Sequence, residues 1–292
     1  MALPHELGLV QDGPERDFYM HVEREKFTLR VREEARKQLA RESQPPRFLP
    51  DVHLLEEFLA VDDPPVAYTI RDLMPLGTHG IIAAQYKAGK STLTANLIRA
   101  LADQDPFLGQ FEVHEARDVT LIDNELDDRT LRRWLRSQGI KNTGRVRLVS
   151  LRGSVSTFDL IDEETRHRWA AHLSNPGVVI LDCLRPVLDA IGLDENREAG
   201  RFLTAFDEFL QLAGAEEAMV VHHMGHNSER SRGDSRLQDW PDVTWKLVRK
   251  TPDDPASPRY FTAYGRDVDV PEGRLEYDEA TRACLRIDAR VS

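Results

Sequence analysis

The sequence predicts an α/β protein: a twisted, mostly parallel β-sheet flanked by helices, with a charged helix ahead of it and a hairpin-rich β region behind it. Three observations carry that expectation. Short apolar runs alternate with helix-length amphipathic segments through the middle of the chain, the rhythm of strand, crossover helix and parallel strand. One run, Ile81-Ile82-Ala83-Ala84, feeds a turn ending in Gly89-Lys90-Ser91-Thr92 and then a helical pattern from Leu93 to Leu101. Another, Val178-Val179-Ile180-Leu181, is continuously apolar and ends in Asp182, as strands buried on both faces do.

Composition bounds the rest. The 292 residues are 40% hydrophobic and 30% charged, which suits one large domain or a core with a small appendage. No apolar run approaches the roughly 18 residues of a membrane span, so no membrane partner is expected. The opening Met-Ala-Leu-Pro-His-Glu-Leu-Gly lacks the basic-then-apolar order of a secretory signal. Cys183 and Cys284, the two cysteines, form no disulfide framework and no metal spacing. A cytoplasmic protein is expected. The net charge of -11 argues against a broad basic coat for nucleic acid; a local basic channel built by several subunits stays open.

In chain order, residues 1–49 read as an N-terminal arm, a charged helix from about Glu15 to Glu42 and a proline-rich linker. Phe18, Val22, Leu29 and Leu39 give that helix only a thin, interrupted apolar stripe. Gln44-Pro45-Pro46 and Pro50 break it, and the larger domain is expected over residues 50–292. Val52 to Leu59 reads as a short helix, and Gly77 and Gly80 as the turn before the first core strand. Val119–Ile122 is a strand running into Asp123-Asn124-Glu125, followed by a helix over Asp127–Arg136. Val146–Val149 is a further strand, and Glu163–Leu173 a helix stopped by Asn175-Pro176-Gly177. After the strand ending at Asp182 come a helix over Glu195–Ala213 and a strand, Ala218–Val221, running into His222-His223-Met224-Gly225-His226. The strands Thr244–Val248, Tyr260–Tyr264, Arg274–Tyr277 and Cys284–Ile287 are hairpin-like, with Pro255 and Pro258 between the first two.

The chemistry starts at Ala84–Ser91, which follows the phosphate-loop pattern G-x-x-x-x-G-K-[ST] with Ala84 in place of the first glycine. Backbone N–H groups of Lys87, Ala88, Gly89, Lys90, Ser91 and Thr92 can form an anion nest at a helix N-terminus. Lys90 would reach the β- and γ-phosphates of ATP, and the Ser91 hydroxyl would sit on Mg²⁺. Asp182, ending its apolar strand, is the expected second magnesium carboxylate. Glu125, just past the strand that follows the phosphate-loop helix, is placed to orient or deprotonate a water, with Asp123 and Asp127 as rivals. The His222–His226 cluster reads as a polar relay sensing the γ-phosphate more readily than as a zinc site, since no carboxylate or cysteine at metal spacing follows it. Arg266, after a late strand, could stabilise transition-state charge across a subunit interface. Arg230, Arg232 and Arg236 compete for that role or for DNA phosphates.

Taken together, A-A-Q-Y-K-A-G-K-S-T, L-I-D-N-E, V-V-I-L-D and M-V-V-H-H-M-G-H occur in the order of a RecA-type motor, followed by R-G-D-S-R-L-Q-D-W-P-D-V and Y-G-R-D. Over about residues 50 to 290 the chain resembles the RepA-like branch of the RecA superfamily, AAA-family ATPases related to hexameric plasmid replicative helicases. The resemblance implies Lys90 and Ser91 at phosphate and magnesium, Glu125 as catalytic base, Asp182 as the Walker B carboxylate, His223 as sensor and Arg266 as a trans-acting finger. It implies ATP and Mg²⁺ as cofactors and a ring of subunits, with a hexamer as one form. Single-stranded DNA is the implied activating ligand, gripped by loops such as Arg152-Gly153-Ser154 and Asn227–Arg236. The expected function is a DNA-dependent ATPase motor of replicative-helicase type working with a separate primase or replication partner. The alternative is a non-motor, ATP-gated DNA-binding or helicase-loader protein.

Overall fold

The computed structural model describes residues 14–42, 51–224, 236–251, 254 and 256–287. His226, Arg230, Arg232 and most of the Asn227–Arg236 loop lie outside the described residues, as does the side chain of Arg236. Contacts divide the chain into two units that meet between Asp63 and Pro64. The first contains α1 (Pro14–Glu42), the expected charged helix, which opens on a proline where the first helical turn tolerates one. It also contains α2 (Leu55–Leu59), which buries none of its residues. With so narrow an apolar stripe, Phe18, Phe27 and Leu29 of α1 remain exposed.

The second unit opens with a two-stranded antiparallel ribbon, β1 (Tyr68–Ile70) and β2 (Met74–Pro75). Then come β3 (His79–Ala84), α3 (Lys90–Asp103), β4 (Val119–Asp123), α4 (Asp128–Ser137), β5 (Val146–Ser150) and α5 (Glu163–His172). They are followed by β6 (Val178–Asp182), α6 (Leu184–Ala190), α7 (Glu195–Ala213), β7 (Ala218–His223) and α8 (Arg236–Asp239). The chain closes with β8 (Val243–Arg249), β9 (Arg259–Gly265), β10 (Asp269–Tyr277) and β11 (Cys284–Ile287). Nine strands share one sheet in the order β11-β10-β9-β8-β3-β7-β6-β4-β5. From β8 to β5 every neighbouring pair is parallel, while β9, β10 and β11 are added antiparallel. The mostly parallel sheet with a hairpin-rich C-terminal region is therefore as expected.

Strand periodicity sorts the core into two layers, because successive side chains leave opposite faces. Ile82, Val178, Ile180, Met219 and Val221 pack with Leu93, Leu97 and Leu101 of α3 on one face. Ile81, Val179, Leu181 and Val220 pack with Phe202, Phe206 and Phe209 of α7 on the other. Two details differ from the sequence reading. Gly80 lies within β3 instead of in the preceding turn; a Cβ there would stand 2.5 Å from Met219 Sδ, so the position is kept bare by close packing. The turn itself falls to Gly77 at φ 77°. The helix α6 was not anticipated; its Pro186 occupies the first turn, where no N–H is required of it.

Candidate nucleotide-binding site

The parallel strands end on one edge of the sheet, and the motif residues gather there. β3 ends at Ala84, which pairs in regular register with His223 on one side and Leu247 on the other. A residue in ordinary strand conformation needs no glycine, which explains why alanine serves at the head of this loop. The unusual backbone falls later, on Lys87 at φ 55° and Gly89 at φ 108°. Gly89 is the N-cap of α3 and has no side chain to satisfy the first helical N–H groups, so those of Lys90, Ser91 and Thr92 are left for a ligand. The Ala88 N–H is turned inward to Gln85 O at 3.1 Å, so the nest begins at Gly89.

Periodicity also separates the two histidines. His223 follows Val221 on the α3 face, and its Nδ1 and Nε2 lie 2.6 and 2.9 Å from Lys90 Nζ. Its Nε2 is 3.3 Å from Glu125 Oε1. His222 points to the α7 face, where its Nδ1 is 3.3 Å from Glu195 Oε1. His222 and His223 therefore cannot chelate one ion together. Glu125, Cys183 and His223 do bring one oxygen, one sulfur and one nitrogen within 4.8 Å of one another, but the ammonium of Lys90 already lies against that histidine.

The carboxylates are sorted by environment. Asp123 and Asp182 are register partners at the ends of β4 and β6, both buried. Burial pushes Asp182 up to about 7, with Asp123 and Glu125 adding repulsion and Lys90 pulling the other way. Burial likewise lifts Asp123 to about 6, against the hydrogen bond it accepts from Leu126 N at 2.8 Å. Glu125 goes the opposite way: the His223 contact, helped by Lys90, holds its carboxyl below the usual range despite partial burial. Asp127 is spent as the N-cap of α4, accepting from the N–H groups of Arg129 and Thr130. Glu125 is thus the member of the trio that is both ionised and in contact with His223.

The residues fit a magnesium ion. Asp182 Oδ1 is buried without a hydrogen-bond partner among the described residues, and Asp182 lines a small cavity with Ser91, Thr94 and Asp123. A divalent cation would satisfy the orphaned oxygen and relieve the repulsion between neighbouring carboxylates.

Arg266 is placed elsewhere. It follows Gly265, the register partner of Val243 at the start of β8, which puts it at the sheet edge opposite the phosphate loop. Its side chain is 85% exposed and lies 3.8 Å from Asp242 Oδ1. Two arginines not singled out in the sequence are at the loop instead: Arg249 donates to Lys87 O, and Arg259 Nε donates to Ala88 O at 3.0 Å. A third, Arg282, donates to Thr92 Oγ1 at 3.1 Å and stacks on Trp134. No motif marks these residues: Arg249 ends β8, the parallel neighbour of β3, while Arg259 and Arg282 arrive with the antiparallel strands added beyond it. Arg152, in the loop after β5, lies 3.5 Å from Asp127 Oδ2.

A glycine-lysine-serine loop opening a helix, a strand-end carboxylate on the same face and a sheet of this order define a RecA-like P-loop ATPase. The chain belongs to the AAA_25 family, described as an AAA domain, whose model matches residues 42–229, more than half of the sequence. Among solved structures it is similar to a KaiC-like protein from the hyperthermophilic archaeon Pyrococcus horikoshii OT3. The TM-score is 0.54 at 15% identity, covering 75% of this chain and 93% of that one. At that identity the likeness shows the fold alone. No curated protein matches the chain.

Proposed function

We propose that this protein is a Mg²⁺-dependent ATPase of the RepA-like branch that acts as a DNA-dependent motor of replicative-helicase type. The observation that carries the ATPase part is the meeting of Lys90, Glu125, Asp182 and His223 at one sheet edge, on the face that holds α3. Ser91 and Asp182 would hold the magnesium, which when bound supplies positive charge to the phosphates. The N–H groups of Gly89–Thr92 and the Lys90 ammonium bind the phosphate chain. When Lys90 turns to phosphate it leaves His223, freeing that ring to meet the γ-phosphate. Glu125, ionised, then orients the attacking water and accepts its proton.

The motor part rests on the family resemblance and on where β7 leads. His223 is followed four residues later by Asn227–Arg236, the segment whose arginines are the candidate DNA contacts, so a γ-phosphate sensed there has a short path to a DNA loop. A ring fits the exposed Arg266, which in this reading serves a neighbouring copy. The second reading is a non-motor ATP-gated DNA-binding or helicase-loader protein; the net charge of -11, which leaves little general attraction for DNA, favours the form of it that assembles on a replication partner. ATP hydrolysis with and without single-stranded DNA, run beside strand displacement on a forked duplex, separates the two. Stimulated hydrolysis with unwinding supports the motor. Hydrolysis indifferent to DNA, with no unwinding, rejects it and leaves the ATPase standing.

A further inference from the structure

The hairpin of β8 and β9 ends beside the phosphate loop, and the contacts there go beyond packing. Arg249, the last residue of β8, and Arg259, the first of β9, are directly opposite register partners. Two like charges facing each other across a strand pair destabilise it unless other groups take up the charge. Both guanidinium groups find partners in the loop: Arg249 donates to the carbonyl of Lys87, and Arg259 Nε donates to the carbonyl of Ala88 at 3.0 Å. The start of the loop is tied to the same strand, since the Arg249 N–H donates to Gln85 Oε1 at 2.8 Å and the Gln85 N–H to Leu247 O at 3.1 Å. Arg249 is buried, and Arg259 half-buried.

These ties fall where the loop needs them. Lys87 holds φ at 55° although it is not glycine, a conformation that persists only when the surroundings enforce it. In an anion nest the carbonyls must face away from the ligand while the N–H groups converge on it. We infer that Arg249 and Arg259 are positioning residues for nucleotide binding: they hold the Lys87 and Ala88 carbonyls outward, so that the N–H groups from Gly89 onward face the phosphates. The guanidinium pair also places positive charge behind the loop. The inference rests on the ATP-binding reading of that loop and extends it to residues more than 150 positions away in sequence.

The test is Mg²⁺-ATP binding and steady-state hydrolysis by the full chain, wild type beside Arg249→Ala, Arg259→Ala and the corresponding Lys variants. Loss of either clamp is expected to weaken ATP affinity roughly tenfold, the size of one charge-assisted hydrogen bond. KM rises accordingly while kcat at saturating ATP stays within about threefold, since no group on the reacting atoms is removed. A lysine at 249 keeps a charged donor near the Lys87 carbonyl and recovers part of the affinity. If Arg249→Ala fails to fold, Arg259→Ala and Arg249→Lys carry the test, because one is half-buried and the other keeps the charge. Unchanged ATP affinity in the folded variants, or a fall in kcat with KM untouched, overturns the clamp. A wild-type protein that binds no ATP overturns the nucleotide reading, and the clamp with it; variants that bind as well as a competent wild type overturn the clamp alone.

Discussion

Asp182 shows how much of this site is written in single residues. Its carboxyl is fully buried, faces the neighbouring Asp123 and leaves one oxygen without a hydrogen bond. Burial raises its pKa from an ordinary 3.8 to about 7, so between those values the folded chain holds a proton that the unfolded chain has lost. Stability therefore falls as the pH rises across that window, and the full cost is present above about 7. Removing the charge should relieve it. Asp182→Asn is expected to raise the Tm of the magnesium-free protein by roughly 5 °C at pH 8, a gap that narrows as the pH is lowered toward 4. Scanning calorimetry across pH checks this; a gap that is absent, or that widens in acid, contradicts the assignment. Glu125 obeys the opposite logic. Its pKa is held down by His223 and Lys90, which keeps it charged and ready to receive a proton. The pair illustrates one principle: environments that push carboxylates apart in pKa assign them different work.

At the scale of elements, strand periodicity explains both what the sequence made legible and what it concealed. The apolar runs at Val119, Val178 and Ala218 and the helix over Glu195–Ala213 were readable because buried parallel strands and amphipathic helices carry distinct periods. The placing of Lys90, Glu125, Asp182 and His223 on one edge followed from each ending or following a strand. The separation of His222 from His223 was hidden, since it depends on which face α3 covers. Gly80 was misread because glycine punctuates turns far more often than it lines a packed strand. Its strand role yields a prediction: Gly80→Ala forces a methyl against Met219 and Val243, costing about 1–3 kcal/mol. Chemical denaturation measures that loss, and a variant as stable as wild type would show that the β3–β7 contact yields freely. Arg249, Arg259 and Arg282 were illegible for a different reason. They lie on or beside the last strands of the chain, β8 to β11, which return to the loop from far along the sequence, and no local spacing announces such long-range contacts.

The whole molecule joins a compact ATPase unit to an N-terminal unit whose helices leave Phe18, Phe27, Leu55 and Phe58 exposed. Among the described residues no helix is long and apolar enough to cross a membrane. The net charge of -11 means that any DNA contact must be made by a few placed arginines, because the overall field of the protein repels phosphate. The ATPase and the DNA-driven motor proposed for the molecule both depend on Glu125 activating water beside a phosphate held at Lys90. The most direct measurement is phosphate release from ATP by wild type and Glu125→Gln, with ATP binding determined for both. Hydrolysis is predicted to fall by about 10²–10⁴ in the variant while ATP affinity stays near that of wild type. A Glu125→Gln protein that hydrolyses ATP at the wild-type rate would contradict the account.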